Sequence, residues 1–143
     1  MRKTISILGS TGSIGCSALD VIKIHPEKFD IFALSGYENV DLLFKQAIEF
    51  KPTYIVDFAG QGMVAQSWDQ SWQWYTTNLV TKTKLISFLS KCDYLKKYIR
   101  ISTPEVYGNQ GKILTEDSIY SPSTPYAISH AAIDFHLAAM NIH

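Results

Sequence analysis

The sequence predicts an α/β domain with a parallel sheet. Three observations carry this. Short apolar runs alternate with segments of helical periodicity, the apolar runs are nearly unbroken as in strands covered on both faces, and a glycine cluster closes the first run. Residues 4–8 form the first short apolar run, and residues 14–24 follow with apolar positions at helical spacing until Pro26 stops them. Residues 29–34 are apolar almost throughout, and Asn39 is placed to cap a second helix. In that helix Val40, Leu43, Phe44 and Ala47 follow the i, i+3, i+4, i+7 pattern before Pro52. Residues 54–58 read as a third strand, 78–89 as a third helix and 98–102 as a fourth strand. A turn-rich stretch around Ser121-Pro122-Ser123-Thr124-Pro125 then leads into a last helix from Tyr126 to about Met140. Strands alternating with helices imply right-handed crossovers.

At 143 residues, 46% hydrophobic and 18% charged, the chain suits one domain with a real core. Lysine plus arginine equals aspartate plus glutamate at 13 each, so no net field favours nucleic acid or an anionic membrane, and an anionic ligand must be held by local geometry. Cys16 and Cys92 have no metal or C-x-x-C spacing, which suits reduced thiols in a cytoplasmic protein. His25, His130, His136 and His143 form no metal cluster, because His130 and His136 fall on different helix faces; no metal is assigned. No apolar stretch reaches membrane-spanning length, and the N-terminus has no leader pattern.

The loop Gly9-Ser10-Thr11-Gly12-Ser13-Ile14-Gly15 sits between a predicted strand and a predicted helix, the context that gives such a pattern meaning. Gly9 permits a tight turn, Gly12 lets backbone approach a diphosphate, and Gly15 allows close helix packing. Free amides at the helix start then face the negative charge. This points to a Rossmann-type parallel sheet flanked by helices, binding NAD or, alternatively, NADP. That reading expects the first strand to lie beside the strand that precedes Asn78. A carboxylate at the end of the second strand would normally hold ribose hydroxyls, but here that strand ends in Ser35 and Gly36. Glu38 is the nearest candidate; it would repel a 2′-phosphate and so favours NAD, and it reads equally as a solvated residue ahead of the Asn39 cap.

Residues 1 to about 56 resemble the N-terminus of 1-deoxyxylulose-5-phosphate reductoisomerase. The matching text is Ile7 to Cys16, Leu19-Asp20-Val21, His25-Pro26-Glu27, Ala33-Leu34, Asn39-Val40 and Glu49-Phe50. The resemblance implies NADPH, although Tyr37 and Glu38 replace the glycine and lysine usual in that family. From about residue 54 onward the chain instead resembles the extended short-chain dehydrogenase/reductase family of nucleotide-sugar epimerases and dehydratases. That match rests on Phe58-Ala59-Gly60-Gln61-Gly62-Met63-Val64, Thr77-Asn78, Ser102 to Gly108 and Pro125 to His130. The chain reads as a hybrid with a seam at 51–58, one NAD(P)-binding domain over 1–143 that stops before a substrate domain. The second family normally carries another strand and helix ahead of the Phe58 segment.

The second resemblance implies further cofactor contacts at Ala59, Gly60, Asn78, Tyr126 and His130. It also makes Tyr126 an acid/base with Thr103 sharing its proton, and Glu105 a base. A free tyrosine, with a pKa near about 10, needs a neighbouring positive charge to work near neutral pH. Where the family keeps lysine this chain has His130, one helical turn from Tyr126, and histidine with a reference value of about 6.5 supports a tyrosinate poorly. Pro104 stands where dehydratases often have aspartate, which favours epimerase-like over dehydratase chemistry. Three functions compete: a nucleotide-sugar epimerase/dehydratase-like oxidoreductase domain, incomplete and weakly active or inactive alone; a truncated reductoisomerase-like NADPH domain; and a non-catalytic binding or assembly module. The last helix is apolar nearly all round, so a homodimer through helices 78–89 and 126–140 is expected, with a nucleotide-sugar as substrate.

Overall fold

A computed structural model of the chain describes residues 2–37, 39–111 and 113–140. They divide into two compact units, one running to Gly60 and resuming at Ser87–Ile101, the other built from Gln61–Ile86 and the chain from Ser102 through the last helix.

The first unit is the sheet. Its elements are β1 (Lys3–Ile7), α1 (Ser13–Ile24), β2 (Phe29–Gly36), α2 (Val40–Phe50), β3 (Tyr54–Asp57) and β4 (Lys97–Arg100). All pairings are parallel, as the unbroken apolar runs require. Ile7 lies beside Leu34, Leu34 beside Ile55 and Ile55 beside Tyr98, so one row of side chains crosses the sheet on one face. All four are buried, and Leu34 and Ile55 completely so; each full burial contributes about 1.5–3 kcal/mol.

The helices form where the sequence places them. Asn39 caps α2 by accepting from the Leu42 amide at 2.9 Å. Val40, Leu43 and Ala47 are buried on its inner face, while Phe44 sets its ring edge-on to Phe88 at 5.1 Å. Lys51, with φ of 47°, ends the helix in the left-handed region immediately before Pro52.

The strand order is β1-β2-β3-β4, so β2 separates β1 from β3. This corrects the expectation that the first strand lies beside the one that precedes Asn78. The cause is the short interval between β2 and β3, which holds only α2. A single crossover helix leaves two parallel strands adjacent, and without another strand and helix β1 stays at the edge. Successive right-handed crossovers in one direction also put α1 and α2 on the same face. They lie side by side there, joined by the Lys23–Glu49 ion pair.

The second unit is helical. It holds a 3-10 turn (Ala65–Trp68), α3 (Ser71–Tyr75), a π-helical stretch (Thr76–Thr81), most of α4 (Lys82–Leu89), a second 3-10 turn (Pro104–Tyr107) and α5 (Pro125–Ala139). The helix expected from residue 78 thus follows helical structure that begins at Ser71. The stretch 65–75 carries four aromatic residues with weak helix preference and no apolar period, which hides it from sequence reading. Trp74 secures it from inside, its indole donating to the Gly62 carbonyl at 2.6 Å. Thr124 caps α5 by accepting from the Ala127 amide at 3.1 Å, with Pro125 in the first turn. Among the described residues no helix is long and apolar enough to cross a membrane.

Candidate functional site

The glycine loop leaves β1 and enters α1. Gly9 has φ of +77°, the left-handed conformation its turn requires. A Cβ on Gly15 would fall 2.3 Å from the Gly9 carbonyl oxygen, so the helix approaches the loop as closely as only glycine permits. Gly12 is the N-cap of α1 in extended conformation, and no side chain caps this helix. Its first turn is therefore open to an anion. Gly9, Gly12, Ser13 and Ile14 are exposed along it, and they border a cavity of about 340 Å³ with Leu8 and Ala18. Thr11 is half-buried.

Ser10 behaves differently. It is fully buried, its amide donates to the Ser35 carbonyl at 2.7 Å, and its hydroxyl faces inward. The Ser35 hydroxyl accepts from the Gly9 amide at 2.9 Å. Ser35 thus spends its polar atoms on holding the loop, where the sequence reading looked for a ribose-binding carboxylate. A Cβ on Gly36 would touch Thr11 and Leu43, which accounts for the glycine after it. Gln46 of α2 reaches Ser10 as well, a partner the sequence reading missed. Its signal was present: a glutamine at i+3 from Leu43, inside the apolar stripe. Glu38 lies outside the described residues.

At the end of β3, the Ala59 amide donates to Asp57 at 2.8 Å and the Gly60 amide to the Tyr37 carbonyl at 2.9 Å. Both amides are thereby satisfied inside the protein. Asp57 is buried and also accepts from the Tyr98 hydroxyl.

In the second unit, Tyr126 is half-buried at the start of α5 and its amide donates to the Ser67 hydroxyl at 3.2 Å. Its ring rests on His130, with centroids 4.6 Å apart. Asn78 is fully buried in the π-helical stretch, a local irregularity that often marks functional segments. Its carboxamide accepts from the Gln61 amide at 2.7 Å and donates to the Gln61 carbonyl at 3.0 Å and to Ser129 at 3.1 Å. Ser129 in turn donates to the Tyr126 carbonyl at 2.7 Å, so Asn78 steadies the turn that carries Tyr126. Thr103 caps the turn Pro104–Tyr107 by accepting from the Glu105 amide at 3.3 Å, and Glu105 is exposed. Among the described residues Thr103 and Tyr126 share no hydrogen bond, and no group of three or more His, Cys, Asp or Glu is placed to hold a metal.

A parallel sheet flanked by helices, with a glycine loop opening an uncapped helix, defines a Rossmann-type nucleotide-binding fold. By sequence the chain belongs to the 1-deoxy-D-xylulose 5-phosphate reductoisomerase family, whose model matches residues 5–93. The corresponding enzyme of Lawsonia intracellularis is 68% identical over 53 residues, which is 37% of this chain and 13% of that enzyme. Solved structures point elsewhere for the fold. UDP-glucose 4-epimerase from Brucella ovis in complex with NAD superimposes with a TM-score of 0.68 at 15% identity, over 96% of this chain and 47% of that one. A dTDP-glucose 4,6-dehydratase from Bacillus anthracis in complex with NAD gives 0.61 at 24% identity, over 96% of this chain and 50% of that one. The chain therefore spans about an eighth of the reductoisomerase and half of each sugar-nucleotide enzyme. Both resemblances read from the sequence are found, reductoisomerase in the N-terminal sequence and epimerase/dehydratase in the fold.

Proposed function

We propose that the chain binds the diphosphate of NAD or NADP at the loop Gly9–Gly15, as the nucleotide-binding part of an oxidoreductase of the nucleotide-sugar epimerase/dehydratase kind. The observation that carries this is the open first turn of α1, set against a loop whose approach only Gly15 allows. The amides of Ser13 and Ile14 would hold the diphosphate beside Gly12, whose own amide donates to the Gly9 carbonyl at 3.0 Å, and the nicotinamide would supply redox capacity. Ser10 serves the site by packing beneath it. The sheet order removes the support that adjacency of β1 and β3 would have given, so the loop alone bears the cofactor reading.

On this reading Tyr126 is the acid/base, with Thr103 sharing its proton and Glu105 a base for a sugar proton. His130 in place of a lasting positive charge makes turnover weak. The second reading is a reductoisomerase-like NADPH module, favoured by the family match over residues 5–93. A third is a binding module without turnover, in keeping with His130 beside Tyr126 in place of a lasting positive charge. The whole of 1–143 acts as one NAD(P)-binding domain on the first two readings. Ile128 and Phe135 are exposed on α5, and a homodimer through this helix and residues 78–89 would cover them.

Calorimetric titration with NAD and NADPH, followed by a turnover assay on UDP-glucose and dTDP-glucose, separates these. NAD preference with slow turnover supports the first, NADPH preference without sugar turnover the second, and absence of binding the third. Light scattering tests the homodimer, which a monomeric mass would refute.

A further inference from the structure

Gln46 is buried on α2, 5% exposed, and both ends of its carboxamide meet one residue of the glycine loop. Its Oε1 accepts from the Ser10 hydroxyl at 2.7 Å, and its Nε2 donates to the Ser10 carbonyl at 2.8 Å. The same Nε2 lies 3.8 Å from Cys16 Sγ in α1. Burying a glutamine costs hydration and rotamer freedom, and it persists where donor and acceptor are both matched. Here one side chain matches both on a residue that precedes the helix start and touches another that follows it. The open turn between them is thereby held from both sides.

We propose that Gln46 is a positioning residue for the diphosphate loop, setting Ser10 so that the first-turn amides of Ser13, Ile14 and Gly15 stand ready for an anion; the ligand part rests on the diphosphate reading above. A fixed loop need not be ordered when the ligand arrives, and the affinity gain is the ordering cost avoided. Ser35 holds the same loop from β2, accepting from the Gly9 and Ser10 amides and from the Ser10 hydroxyl. Gln46 is therefore what ties the loop to α2.

The test uses the full chain in three variants. Gln46→Met keeps length and loses both hydrogen bonds. Gln46→Glu keeps the acceptor and loses the donor, which guards against a Gln46→Met protein that does not fold. Ile55→Ala, in β3 and away from the loop, supplies a general loss of stability for comparison. Amide hydrogen exchange is followed across residues 9–16 well below every melting temperature, alongside NADPH affinity. Loss of one hydrogen bond's contribution corresponds to about tenfold. Loop exchange at least about tenfold faster and NADPH binding at least about tenfold weaker in the Gln46 variants, with neither change in Ile55→Ala, is the expected result. Loop exchange in both Gln46 variants matching that of Ile55→Ala overturns the proposal. Wild-type protein that binds neither NADPH nor NAD overturns the diphosphate reading alone, because the exchange comparison still decides whether Gln46 sets the loop.

Discussion

The Tyr126 ring leans on the His130 imidazole, with centroids 4.6 Å apart and planes tilted by 49°. His130 is 7% exposed, so the tyrosine has a flat, poorly solvated neighbour one turn along α5 where its proposed chemistry wants a lasting cation. His130→Lys is expected to speed the single-turnover, sugar-dependent reduction of bound NAD by about 100-fold, the lower end of the usual range for acid/base assistance. Absorbance at the reduced-nicotinamide band measures it. Unchanged turnover with the cofactor bound would count against the role given to Tyr126.

Gly15 and Gly12 should part company on substitution. A Cβ at Gly15 would lie 2.3 Å from the Gly9 oxygen and 2.6 Å from the Ser10 Cα, both backbone atoms that cannot swing aside. Gly15→Ala is expected to cost about 1–3 kcal/mol, the usual range for overpacking. At Gly12 the nearest contact is 3.3 Å and φ is −81°, so Gly12→Ala keeps most of the stability while crowding the diphosphate. Urea unfolding and NADPH titration of both variants check the contrast.

Asn78 makes three hydrogen bonds with no solvent access. Asn78→Ala strips partners from the Gln61 backbone and from Ser129, and each buried group left unmatched costs about 1–3 kcal/mol. A loss of about 3 kcal/mol in urea unfolding is expected. A change below 0.5 kcal/mol, the scale of an ordinary surface substitution, would show that Asn78 does not hold that loop.

Tyr120 links the second unit's stability to alkaline pH. Burial first, then the Asp134 carboxylate, pushes its phenol from 10.0 up to about 12. Its hydroxyl donates to Asp134 at 3.4 Å. The folded protein therefore keeps this proton where the unfolded chain releases it. The contribution is complete below pH 10 and is lost as pH climbs toward about 12. Tyr120→Phe should flatten that decline in the urea midpoint between pH 9 and 11.5, and an identical decline in both proteins would contradict the assignment.

The glycine loop and its neighbours were legible because their signals are local. Gly9 needs its positive φ, Gly15 its missing Cβ, and Asn39 its capping bond, all dictated within a few residues. Sheet order was not local: placing β2 between β1 and β3 depends on which elements are missing from the interval, and no residue in β1 announces an edge. The tie from Gln46 to Ser10 spans 36 positions in sequence, and only the polar interruption of an apolar stripe hinted at it. Ser35 looked like a missing carboxylate because a strand-end serine does not reveal whether it faces ligand or loop. The helical segments before Asn78 depend on tertiary support from Trp74, which outweighs their weak preferences.

Amide NMR of the uniformly 15N-labelled chain, titrated with NADPH and then with NAD, bears most directly on the diphosphate loop. Saturable shifts of the Gly12, Ser13 and Ile14 amides with either cofactor are the expected result. Saturating cofactor that leaves these three resonances in place would contradict it, whatever moves elsewhere in the chain.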